Sequence, residues 1–407
     1  MVSSEPTGEK VGFLARCPRG LEWVSAGEIK GRLDATIVAV KHREILFELP
    51  TLDPDVLFLN TIDDVFLNCG FIDGIDHTRA SLQVLSEAVK KFDFADVLTQ
   101  VRKVRRIRHS DRFDVVCSFL GRRNYNRYEV EEAVGSIVTQ QLGTVQQSHR
   151  QRTDSDVSWR VHIRDNEAYI GLRVSAKPLH RREYKVASKA GTLHPPIASA
   201  LALLSGIRTE GTLLDPFCGS GTIPIEASRF EPELAIFASD IDPSSVELAR
   251  INAGHTNTKM SFAVADAGQL PFAYRAFDRL VCNLPWGQTV KQKGCLRSNT
   301  IAFWRELSRT LHSEGRAVIL SGVAEPIDDR LAKAGLILVL RQEIRVLGRW
   351  SNLSIVVSES NRNPTPIDVY GRLGSELADS LVRYPTMMQC RSGQSGEKNK
   401  GAISTFP

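Results

Sequence analysis

The 407-residue chain lacks any unbroken apolar run approaching the ~18 residues of a membrane span, so no transmembrane helix is expected. Its first ten residues carry Glu5 and Glu9 and no apolar stretch, which argues against a secretory leader and for a cytoplasmic location. CxxC pairs are also missing. The seven cysteines (Cys17, Cys69, Cys117, Cys218, Cys282, Cys295, Cys390) are odd in number and scattered, so neither a disulfide framework nor a zinc knuckle is signalled and a reducing compartment fits. The nine histidines show no ligand-like spacing, and no metal is expected. A net charge of +5 is too small to imply a polyanionic partner by itself.

What the chain does have is ordinary globular composition, 42% hydrophobic and 24% charged, and length for two or three domains. Its positive charge is concentrated. Between Arg102 and Arg127 nine basic residues face two acids, Asp111 and Asp114, a pattern that builds a basic surface. Short strands and a helix over residues 11–49 predict small α+β material, and the pattern restarts near Arg112 with a strand, the polar loop Gly121–Tyr125, a helix and two strands. The connector Lys177–Arg182, with Lys185 and Lys189, reads as a boundary before the Pro195-Pro196 pair opens an Ala/Leu-rich helix. From 212 to about 358, strands alternate with helical stretches, predicting a mostly parallel, helix-wrapped sheet; the short last connection makes the final strand antiparallel at or near the edge. The tail after Met387 lacks apolar content and is expected to be disordered.

The stretch Leu213–Ala227 runs from a buried strand through Asp215-Pro216-Phe217-Cys218-Gly219-Ser220-Gly221-Thr222 into a helix. Glycines 219 and 221 would let a ligand lie against bare backbone. A phosphate loop would need a lysine after the second glycine, and a dinucleotide fingerprint would need a glycine where Pro224 stands. Both phosphate readings weaken. Acids recur instead at three successive strand ends: Asp215 to attract an ammonium, Asp240 to accept ribose hydroxyls, and Asp266 to accept from an adenine amine. S-adenosylmethionine carries all three features and no phosphate.

The fourth strand ends in Cys282-Asn283-Leu284-Pro285-Trp286. The lone pair of an exocyclic amine is delocalised into its ring. An amide oxygen (Asn283) and a backbone carbonyl (Leu284) that accept its two N–H bonds localise that pair toward an incoming methyl. Pro285 fixes the backbone, and Trp286 offers a flat face to a flipped base. Cys282, in the apolar strand, reads as a buried structural thiol rather than a nucleophile.

Together, Asp215–Thr222 and Asn283–Trp286 resemble the class I methyltransferases that modify exocyclic amines. Gly121–Tyr125, Glu131–Gly135, Ala168–Leu172 and Leu179–Arg182 look like a THUMP RNA-binding module and its junction, and Cys17–Glu22 resembles the start of the ferredoxin-like domain that precedes it. The resemblance covers about residues 11 to 358 and implies a THUMP-domain RNA guanine-N2 methyltransferase, most like the tRNA acceptor-stem enzymes. It implies a ferredoxin-like domain over 1–100, THUMP over 101–176, a basic connector over 177–194, a Rossmann-like α/β methyltransferase domain over 195–360 with seven strands and the last antiparallel, and an extension over 361–407.

It also implies cofactor contacts from Asp215, Pro216, Cys218, Gly219, Gly221, Thr222, Asp240, Ile241, Asp266 and Ala267, and RNA contacts from Arg122, Arg123, Asn124, Tyr125, Arg181 and Arg182. Arg181 and Arg182 could equally serve the domain interface. Many amine methyltransferases have proline where Leu284 stands; its carbonyl can accept the same bond. The partner implied is RNA, tRNA foremost, with no membrane or metal. Ribosomal or small nuclear RNA, adenine N6 of DNA, a protein glutamine, or silent RNA binding are the alternatives.

Overall fold

The computed structural model describes residues 10–109, 111–147, 155–256, 258–285 and 292–361. Strands β1 (Val11–Arg16), β2 (Thr36–Lys41), β3 (Glu44–Leu49), β4 (Asp64–Asp73), β5 (Arg112–Phe119), β6 (Val145–Gln146), β7 (Ser158–Arg164) and β8 (Glu167–Arg173) form one sheet in the order β2-β3-β1-β4-β8-β7-β5-β6. Helices α1 (Glu22–Leu33), α2 (Ala80–Val89), α3 (Phe94–Val104) and α4 (Arg127–Leu142) accompany it. Local sequence sets their ends: Asn126 and Glu129 cap α4 reciprocally, and Gly143, at φ 64°, closes it in the left-handed conformation.

The division expected at residue 100 does not fall in a linker. It cuts α3, and β4 from the first expected unit pairs with β8 of the second, from Phe66 opposite Arg173 to Asp73 opposite Glu167. Each unit alone would leave a bare strand edge, and the pairing removes both edges.

Strands β9 (Thr212–Asp215), β10 (Ala235–Asp240), β11 (Met260–Val264), β12 (Phe277–Asn283), β13 (Leu311–Gly322), β14 (Leu336–Val346) and β15 (Arg349–Ser358) build the second sheet, in the order β11-β10-β9-β12-β13-β15-β14. With α5 (Pro195–Ser205), α6 (Thr222–Phe230), α7 (Pro243–Ala253), α8 (Cys295–Ser298), α9 (Thr300–Thr310) and α10 (Ile327–Lys333), this is the Rossmann-like class I methyltransferase fold. The final strand is antiparallel and near the edge as expected, one place in from it. A two-residue turn, Leu347-Gly348, makes β14 and β15 a hairpin, and β14 takes the rim.

One apolar core joins the two sheets: Trp23 and Ile29 of α1 belong to the same buried cluster as Ala198 and Leu201 of α5. Among the described residues no helix is long and apolar enough to cross a membrane.

Candidate active site

Strand β9 ends on Asp215, 1% exposed, which lines a cavity of about 360 Å³. The turn that follows is held from both sides. Asp215 Oδ1 accepts from the Phe217 N–H (3.0 Å), the Cys218 N–H donates to the Ser239 carbonyl (2.9 Å), and Asp240 Oδ2 accepts from the Gly219 N–H (3.0 Å). Gly219, at φ 51°, has no atom within 4 Å of the place a Cβ would take, so its backbone is open to a ligand. Gly221 is a glycine for another reason. A Cβ there would meet Ala249 Cβ at 3.1 Å, so it serves the packing of α6 on α7 and not a ligand contact.

Asp215 Oδ2 is buried and has no hydrogen-bond partner among the described residues. Burial pushes the carboxyl well above the usual range, and the nearby charge of Asp240 adds to the rise. A cation placed there would reverse that cost. At the end of the adjacent strand β12, Asn283 lines the same cavity and presents the same signature: its Oδ1 is buried without a partner among the described residues. Buried polar atoms are normally satisfied, so two orphans on one cavity mark where ligand groups belong. Leu284 and Pro285 line the same wall, while Trp286 lies outside the described residues. Burial drives the Cys282 thiol well up, with Asp215 adding to it, consistent with a structural thiol.

Cys218, Thr222, Asp240 and Ile241 reach the cavity as expected; Pro216, Asp266 and Ala267 do not. Asp266 is taken by the chain itself. Its Oδ1 accepts from the Gly268 N–H (2.9 Å) and its Oδ2 from the Cys295 N–H (2.9 Å) at the start of α8. Burial would raise this carboxyl, but those donors outweigh it and hold it below its ordinary range. Gly294 lies so close to Asp266 and Ile241 that a Cβ there would sit 2.1 Å from Asp266 Oδ2 and 2.5 Å from Ile241 Cδ1. The Gly294 backbone therefore packs against Asp266, which does not line the cavity, and Ile241 is the apolar wall there.

Two further walls escaped the sequence reading. The segment Lys189–Leu193 closes one side, with Gly191 at φ 83° and Thr192 Oγ1 3.2 Å from Ser220 Oγ. The hairpin residues Val346, Leu347 and Arg349 close another. The small pair Ala190-Gly191 was a local hint of the first; no short-range signal announces the second.

Residues 182–340 match the family model described as UPF0020, the RMKL-like methyltransferase domain. The chain thus carries an RMKL-like methyltransferase domain over those residues. It is 25% identical over 375 residues to the tRNA (guanine(6)-N2)-methyltransferase of Archaeoglobus fulgidus, covering 81% of this chain and 89% of that protein. It is 34% identical over 203 residues to the enzyme of the same name from Thermus thermophilus, covering 49% of this chain and 59% of that one. The crystal structure of TrmN from Thermus thermophilus superposes with a TM-score of 0.68 at 23% identity, over 86% of this chain and 99% of that one.

In this methyltransferase the arginines assigned to RNA divide into two groups. Arg122 and Asn124 are exposed. Arg123 turns inward: its guanidinium donates to the carbonyls of Ile75 (2.9 Å), Asp76 (2.8 Å) and Asp165 (2.7 Å) and to the hydroxyl of Tyr125 (3.0 Å), itself 4% exposed. Those bonds, with one from the Tyr125 hydroxyl to the Asp76 carbonyl (2.9 Å), tie three loop carbonyls together, so Arg123 and Tyr125 are scaffold rather than contact surface. Of the nine basic residues between 102 and 127, only Arg105 and Arg123 are half-buried; the others stand exposed.

Arg181 is exposed, whereas Arg182 is withdrawn from any RNA. Its Nε and Nη2 donate to Glu226 Oε1 (3.0 Å) and Oε2 (3.2 Å), and Nη2 also reaches the Asn60 carbonyl (2.6 Å). Tyr184 Oη (2.7 Å) and Ser199 Oγ complete the shell around that fully buried carboxylate. The connector is a clasp, not a free linker. Nearby, Asp63, His180 and His194 bring their ligand atoms within 4.8 Å of one another, a grouping that the linear histidine spacing hid. Asp63 Oδ1 lies 2.6 Å from His194 Nε2, and its Oδ2 3.4 Å from Arg43, so the carboxylate is shared between imidazole and guanidinium.

Proposed function

We propose that this methyltransferase transfers a methyl group from S-adenosylmethionine to the N2 amine of a guanine in RNA, tRNA foremost. The carrying observation is the pair of unpartnered buried oxygens, Asp215 Oδ2 and Asn283 Oδ1, on one cavity. When bound, S-adenosylmethionine supplies a methyl group on a positively charged sulfur. Asp215 faces the ammonium end, the lone pairs that Asp240 does not spend on Gly219 and Asp242 face ribose hydroxyls, and Ile241 packs the purine. Asn283 Oδ1 accepts one N–H of the target amine and the Leu284 carbonyl the other, which turns the nitrogen lone pair toward the methyl carbon. Position and fixed dipoles supply the rate. The guanine and tRNA reading is supported by the names of the relatives and by the exposed basic run from Arg102 to Arg127.

The test is incubation of the full chain with labelled S-adenosylmethionine and unmodified total tRNA, ribosomal RNA or DNA, read by nucleoside mass spectrometry. N2-methylguanosine in tRNA is expected; label in another pool or on another base would replace the substrate assigned. Asn283→Ala should slow transfer by about 10²–10³-fold, the scale of one lost preorganised hydrogen bond, while cofactor affinity persists.

A further inference from the structure

The β14–β15 hairpin meets the cavity at its tip. Val346 pairs with Arg349, leaving Leu347-Gly348 as a two-residue turn with φ 48° and 81°. Two consecutive positive φ angles make the type I′ geometry, whose first position favours Asn, Asp or Gly. Leucine there is strained, at about 1 kcal/mol or more. It is also 75% exposed, the most exposed of the large hydrophobic residues described, yet it lines the same cavity as Pro285. A strained and unburied leucine is a poor choice for stability alone.

The tip is not loose. The Trp350 ring carries the Arg19 guanidinium 4.6 Å from its centroid and that of Arg345 at 5.6 Å. The Arg345 N–H donates to the Arg19 carbonyl (3.2 Å), Trp23 Nε1 donates to Gln342 Oε1 (2.8 Å), and Gln342 Nε2 donates to the Gly20 carbonyl. The first sheet's β1–α1 turn therefore braces the hairpin. Arg19, Arg345 and Arg349 surround the tip with positive charge, suited to a phosphate backbone.

We propose that Leu347 is the wedge of this enzyme: it enters the base stack and fills the space left when the target guanine swings into the cavity. This rests on the guanine reading above. Bases flipped for chemistry leave an apolar gap, and a bulky aliphatic side chain is what fills such gaps elsewhere. Leu347 is thus a positioning residue whose benefit is spent on unstacking, and it should matter only where the guanine starts paired.

The experiment compares the full chain with Leu347→Asn, a residue that suits the turn and so keeps the hairpin, and Leu347→Gly. Each is assayed under single turnover on a tRNA transcript with the mapped target guanine paired, and on the same transcript with an abasic nucleotide opposite it. Both variants should lower the paired-to-unpaired rate ratio by about tenfold or more, as expected if unstacking worth a few kcal/mol loses its support. Cofactor affinity, measured by calorimetry, checks that the cavity is intact. A ratio equal to that of the parent chain would overturn the wedge while leaving guanine methylation standing; a parent chain that methylates neither transcript would remove the guanine reading and the wedge with it.

Discussion

Two carboxylates eleven residues apart, Asp215 and Glu226, are equally hidden from water and opposite in purpose. Glu226 is surrounded by Arg182, Tyr184 and Ser199, so every lone pair has a donor and the group holds the connector against α6. Among the described residues Asp215 has one donor, the Phe217 N–H, and an oxygen without a partner. A satisfied buried charge fixes structure, whereas an unsatisfied one is a reserved place for a ligand. Burial by itself therefore says nothing about which residues act.

The largest expected effect tests the holding role. Glu226→Gln leaves the Arg182 guanidinium buried without a counter-charge, and breaking such a pair costs about 3–5 kcal/mol, read as a lowered midpoint in denaturant. Asp215→Asn should do the reverse. Because folding raises the Asp215 pKa, the ligand-free protein loses stability as pH rises through and above the usual carboxylate range. The amide removes that penalty, so the variant should melt higher than the parent at pH 7 without cofactor while binding S-adenosylmethionine about 10–100-fold more weakly, the scale of one lost charge-assisted contact. A variant that melted lower would erase the contrast.

The smallest effect sharpens the same distinction on two neighbouring arginines. Arg122→Ala should weaken RNA binding and flatten its salt dependence by about one phosphate contact, with the melting temperature unmoved. Arg123→Ala should instead lower thermal stability, because it strips donors from the carbonyls of Ile75, Asp76 and Asp165. Equal effects of the two on RNA affinity would dissolve the assignment of one to surface and the other to scaffold.

The part of the site carried by short-range pattern was legible from sequence. Asp215 to Thr222 and Asn283 to Pro285 announce themselves because strand, turn and helix follow one another within a few residues. What the sequence hid depends on chain segments far apart. Asp266 reads as a cavity residue in the sequence, but Cys295, 29 residues on, donates to it and it does not line the cavity. Arg182 looked like an RNA contact until Glu226, 44 residues away, was seen beside it. The hairpin wall at Leu347 comes from the far rim of the sheet, and the division at residue 100 failed because β4 and β8 satisfy each other's edges across about a hundred residues.

That seam between β4 and β8 makes the N-terminal half one continuous sheet. A strand pair hydrogen-bonded along its length does not hinge, and the Glu226 clasp and the Trp350 brace tie that half to the cavity. Under the proposed function, the span from the exposed basic residues to Asn283 would set how far from its phosphate contacts the RNA presents a base. Phosphate contacts carry no base sequence of their own. Under the function proposed above, phosphate contacts on the basic face would select a base by its distance along a folded RNA, much as a ruler finds a mark, with the base itself read only at the cavity.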